Sequence, residues 1–136
     1  MSVYMEKVFE ASIKKLPEVL EFAEEQMNKA DCPMKVVIQV NIALEEIFVN
    51  VAHYAYSDGV GAAKVGIEAG GGKVTVRIED NGSPFDPLGH SDPDVTLSVE
   101  ERGIGGLGIY MVKQSMDEVT YSYENGKNVL TFVKKY

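Results

Sequence analysis

The segment that most constrains this chain is Val36–Tyr56, VVIQVNIALEEIFVNVAHYAY. Its residues recur with helical spacing, and the helix they form is apolar on nearly every side. Such a helix must be covered from more than one direction, so it belongs in a core. Yet it carries Gln39, Asn41, Glu45, Glu46, Asn50 and His53. At about 100° per residue, Gln39, Glu46, Asn50 and His53 fall on one face, with Asn41 and Glu45 on an adjoining one. The first stripe contains no lysine or arginine, which a solvated face usually carries. Its residue types bind metal ions and move protons.

The remaining elements supply the cover. Val3–Ala11 alternates as a strand. The stretch from Ser12 to Asp31 places Leu16, Leu20, Ala23 and Met27 at helical spacing, with Pro17 in a first turn. Asp31 is expected to cap the long helix, with Pro33 just behind it. AKVGIEA and KVTVRIED alternate with period two across Gly70–Gly72 and predict a hairpin. A second hairpin, VTYSYENGKNVLTFVKKY, turns at Asn125-Gly126, the sequence of a type I′ turn. Between the hairpins lie a Gly-, Pro-, Ser- and Asp-rich stretch from Asn81 to Gly106 and a short helix, GLGIYMVKQSMDE. A loop that long in a small domain is usually functional or mobile. The order β-α-α-β-β-loop-α-β-β predicts a two-layer α+β sandwich, its sheet covered on one face by helices.

The 136 residues make one domain, 1–136, large enough to bury roughly two-thirds of its unfolded surface. Cys32 is the only cysteine, so no disulfide forms within the chain. The N-terminal residues lack the pattern of a secretory signal. No uninterrupted apolar run reaches membrane-spanning length. These features together lead to the expectation of a cytoplasmic protein. A net charge of −8 disfavours nucleic acid as a partner.

Two further constellations carry chemistry. In RIEDNGSPFDP, Asp80 ends a strand before Asn81-Gly82. Asp-Asn-Gly is common turn chemistry. A carboxylate fixed by a rigid strand can also accept from an exocyclic amine, and Gly82 would admit a flat ring close to the backbone. In ERGIGGLGIYMV, Gly103, Gly105, Gly106 and Gly108 precede or open a helix. Bare amides at a helix N-terminus favour phosphate. Gly103, Gly105 and Gly108 also fit G-x-G-x-x-G, but the dinucleotide reading fails. Glu100, Glu101 and Arg102 interrupt the strand before the first glycine, and the strands after the helix are joined by a tight turn. No glycine is followed by Lys-Ser or Lys-Thr, so there is no Walker A loop.

Taken in this order, the three motifs resemble the ATP-binding domain shared by gyrase, Hsp90, histidine kinases and MutL, the Bergerat fold. The likeness is strongest to stand-alone bacterial anti-sigma factors that are also serine/threonine protein kinases. LEEIFVNVAHYAY is similar to the family's N box, EDNGSPFDP to its Asp-x-Gly box, and ERGIGGLGIYMVKQSMDEV to its glycine-rich lid and helix. Two positions depart from the pattern: Tyr54 stands where a histidine is usual, and Glu101 where a glycine is frequent.

The resemblance implies a mixed, mostly antiparallel sheet under three helices. It implies ATP and Mg²⁺ as cofactors, with Asn50 as the metal ligand and Glu46 as the catalytic base. Asp80 would bind the adenine amine and Gly82 admit the ring. Arg102, Gly103, Gly105, Gly106 and Gly108 would surround the phosphates, and Thr131 would support the adenine pocket. The implied partners are a sigma factor and an antagonist of the anti-sigma factor, without membrane or direct nucleic-acid contact, in a homodimer. Two other functions share these motifs: an ATP-dependent switch without phosphotransfer, and a detached histidine-kinase catalytic domain. The last needs a dimerising helix pair with a phospho-accepting histidine, and no such segment is expected here.

Overall fold

The computed structural model describes residues 2–55, 61–84 and 106–136, apart from the side chains at 54, 55, 106 and 107. Strand β1 (Val3–Glu10) leads through a short 3₁₀ turn (Ile13–Lys15) into helix α1 (Leu16–Lys29) and then α2 (Met34–Asn50). The hairpin β2 (Ala62–Gly70) and β3 (Lys73–Asp80) follows. Helix α3 (Gly106–Ser115) precedes the hairpin β4 (Glu118–Glu124) and β5 (Lys127–Lys135). The sheet order is β1-β2-β3-β5-β4, and every pairing among the described strands is antiparallel. This is the expected α+β sandwich.

Local chemistry explains most boundaries. Pro17 sits in the first turn of α1, where its missing N–H costs nothing. Asn125 and Gly126 both take positive φ, 53° and 75°, as a type I′ turn requires. Asp31 departs from expectation. Pro33 is the residue that caps α2, without a side-chain hydrogen bond. Asp31 instead has φ 57° and ends α1, where the Cys32 amide reaches back to the Met27 carbonyl at 3.1 Å. The chain must reverse between two packed helices, and the left-handed residue that closes α1 takes precedence over a cap for α2.

The core lies between sheet and helices. Val65, Ile67, Val74, Val76, Ile78 and Phe132 point up from the strands. Val40, Leu44, Ile47 and Phe48 point down from α2, all at most 2% exposed. Residues 34–53 are long and apolar enough to cross a membrane by length and composition. Here one side of the stretch packs against α1, α3 and β3, while Met34, Ile38 and Ile42 on the other side are exposed, so, against expectation, the helix is not covered all round. The other face of the sheet carries ion pairs beside the exposed Tyr4 and Val8. Lys64 bridges Glu6 at 3.6 Å and Glu79 at 3.1 Å, and Arg77 meets Glu79 at 2.6 Å.

Immediately after Asn50 the helix widens into a π-helical segment, Val51–Ala55. Such widenings break the regular backbone ladder and often occur at functional sites.

Candidate functional site

Glu46 and Asn50 stand one turn apart on α2, where i, i+4 side chains are neighbours. Asn50 is buried at 7% exposure, and its Nδ2 donates to Glu46 Oε1 at 3.4 Å. With the amide nitrogen turned toward the carboxylate, the amide oxygen faces away from it. The rest of the polar stripe divides by role. Asn41 Nδ2 donates to the Leu20 carbonyl at 3.4 Å and ties α2 to α1. Glu45 and His53 are exposed, and Gln39 is half-buried.

Asp80 ends β3 on the helix-covered face of the sheet and is 5% exposed. Its Oδ1 accepts from the Gly82 amide at 2.8 Å and from Asn128 Nδ2 at 2.9 Å. Both hydrogen bonds fall on one oxygen, and Oδ2 receives none among the described residues. Burial raises the carboxyl above the usual aspartate range, while the bonds from Asn128 and Gly82 pull it down. The turn chemistry of Asp-Asn-Gly and an acceptor at the strand end are thus both present. The turn engages one oxygen and leaves the other without a hydrogen bond among the described residues.

Asn128 is the residue that sequence reasoning missed. It is the cross-strand partner of Asp80 and 5% exposed. Besides Asp80 it donates to the Ser83 carbonyl at 2.8 Å and contacts the Gly82 carbonyl at 3.4 Å. The Tyr121 hydroxyl donates to its Oδ1. One amide therefore holds both the carboxylate and the loop that follows it.

Thr131, expected to support this pocket, does not reach it. It pairs with Arg77 and Thr120, and strand alternation puts it on the face away from the helices, opposite Asp80. A signal was available: Asn128 shares parity with Leu130 and Phe132 in β5. A polar residue on the core-facing side of a strand needs buried partners.

Gly106 opens α3. Gly108 lies against α2, and a Cβ built on it would fall on the Glu46 carboxyl. Arg102, Gly103 and Gly105, with the loop before them, lie outside the described residues.

Residues 9–134 match the model of the histidine kinase-like ATPase domain. The chain belongs to this family. The domain is a kinase-like, ATP-binding one. Curated relatives include the serine-protein kinase RsbW of Bacillus thuringiensis (strain Al Hakam) and that of Bacillus anthracis, each 26% identical over 95 residues. The match spans 67% of this chain and 59% of those relatives. Among solved structures, the RsbU and RsbW domains of Rv1364c from Mycobacterium tuberculosis superpose with a TM-score of 0.66 at 14% identity, covering 98% of this chain and 32% of that one. The histidine kinase AdeS of Acinetobacter baumannii superposes at 0.53 with 15% identity, covering 96% of this chain and 67% of that one. Those two likenesses concern the fold.

Proposed function

We propose that this histidine kinase-like ATPase domain acts as a serine/threonine protein kinase. It would hold a sigma factor in the cytoplasm, as a homodimer, and phosphorylate a hydroxyl of the antagonist protein that releases the sigma factor. The observation that carries the proposal is the Glu46–Asn50 pair, 3.4 Å apart on successive turns. A protein that only binds nucleotide has a use for Asp80 and Asn50. It has none for a carboxylate held beside Asn50. The serine-protein kinase name of the curated relatives supports the same reading.

The residues present suit ATP and Mg²⁺. The second oxygen of Asp80 can accept from an adenine amine, a charge-assisted bond worth roughly 1.5–3 kcal/mol. The amide oxygen of Asn50 is a hard donor of the kind Mg²⁺ prefers. No cluster of three or more His, Cys, Asp or Glu residues suited to a metal occurs among the described residues. An ion at Asn50 would therefore draw its other ligands from phosphates and water, as Mg²⁺ commonly does. Bound Mg²⁺ and ATP supply the activated phosphoryl group. The chain supplies position and a proton acceptor. Glu46 takes the proton of the attacking serine or threonine hydroxyl, and Asn50 fixes the carboxylate through its Nδ2. Asp80, held by Asn128, orients the base of the nucleotide.

Glu46→Gln keeps the size of the side chain and removes the proton acceptor. ATP affinity by calorimetric titration should stay near wild type. Transfer to a candidate antagonist, read by mass spectrometry, should fall by about 10²–10⁴-fold. Transfer at the wild-type rate would remove Glu46 as the base. A wild type that binds ATP and transfers nothing to its true partner would mark a switch.

A further inference from the structure

Glycine is the poorest helix former after proline, yet Gly108 occupies the first turn of α3. Its backbone does not demand it. The described glycines with positive φ are Gly70, Gly71, Gly72 and Gly126, and Gly108 is not among them. Space is the reason. A Cβ at position 108 would overlap Oε1, Cδ and Oε2 of Glu46 together. No shift of a few tenths of an ångström relieves an overlap with the whole carboxyl group. On either side of this contact the helices are locked. Ile109 and Val112 of α3 are 9% and 3% exposed, and Ile47 and Phe48 of α2 at most 2%. A side chain at 108 therefore cannot be accommodated by separating the helices cheaply, and Glu46 has to move.

We infer that Gly108 is a positioning residue for Glu46: the missing side chain seats the carboxyl against the first turn of α3, where Asn50 also reaches it. The inference rests on the proposed role of Glu46 as the base. It assigns Gly108 a different task from that implied by the sequence motif, which places it around the phosphates. The contact is with the base, and the base is what a side chain at this position would displace.

The geometry is tested without nucleotide, by a thermal-unfolding cycle. Gly108→Ala should raise the melting temperature clearly more in a Glu46→Ala background, where the overlap is gone, than in the wild type, where the carboxyl must swing away. An equal rise in both backgrounds would overturn the inference.

The functional half is read by titration and transfer. Gly108→Ala should keep ATP affinity within about threefold and lose transfer by about tenfold or more, as expected when a general base is displaced. Glu46→Asp draws the carboxyl back by one methylene, so Gly108→Ala with Glu46→Asp should transfer faster than Gly108→Ala alone. A parallel loss of ATP affinity would return Gly108 to the phosphates and overturn the inference. So would Gly108→Ala transferring normally while Glu46→Gln is dead. If Glu46→Gln itself transfers normally, the base assignment falls, and the positioning role falls with it. The thermal cycle then shows whether the packing contact was real.

Discussion

Asp80→Asn separates binding from stability at one atom. In the structure, Oδ1 accepts two hydrogen bonds, from the Gly82 amide at 2.8 Å and Asn128 Nδ2 at 2.9 Å. Both partners are donors, so an asparagine here must keep its oxygen on that side. Its NH₂ then replaces Oδ2 and points a donor at the donor amine of adenine. The substitution loses a charge-assisted bond of roughly 1.5–3 kcal/mol, which corresponds to about 10- to 150-fold in affinity. ADP and ATP affinity by calorimetry should fall by that factor, and preference over guanine nucleotides should shrink with it.

The pH dependence of stability should change as well. Burial raises the Asp80 carboxyl above its ordinary value of 3.8. A raised acid favours folding most when protonated, and that contribution is lost as pH rises through the folded value. The neutral variant lacks this loss. Its thermal stability relative to wild type should therefore improve from acid toward neutral pH. Wild-type affinity in Asp80→Asn would refute the adenine assignment. A difference between variant and wild type that stays constant, or widens against the variant, from acid to pH 7 would refute the burial argument.

Asn50→Ala should abolish the Mg²⁺ dependence of ATP binding seen in wild type; calorimetry with and without Mg²⁺ checks this, and an unchanged response would make Asn50 structural. Asn128→Ala removes the donor that holds Asp80 and the Ser83 carbonyl, so it should lower unfolding stability by about 1–3 kcal/mol and weaken ATP binding as well. Thr131→Val, on the opposite face, should leave ATP affinity unchanged, and a tenfold loss there would contradict the strand register.

Part of the site was legible because it is local. The spacing of Glu46 and Asn50 is an i, i+4 relation that any helix enforces, and the helix itself was evident from its apolar periodicity. The Asn125-Gly126 turn and the Gly70–Gly72 turn marked both hairpins. Capping propensity alone assigns Asp31 to the start of α2, but the helix reversal competes for the same residue and takes it. A motif gives order along the chain and not the face of a strand, and Thr131 faces away from the pocket. Parity with Leu130 and Phe132 would have selected Asn128.

By itself, then, the sequence determined the helices, the hairpins and the three motifs, since each depends on residues within a few positions of one another. Only the tertiary structure decided which groups meet. Antiparallel pairing of β3 with β5 brings Asn128 under Asp80, and packing of α3 on α2 brings Gly108 against Glu46. Each contact leaves only a weak local signature, a residue that suits its own element poorly: an asparagine on the core face of a strand, a glycine inside a helix. Their reasons lie across the core, in a carboxylate that needs a donor and another that needs room.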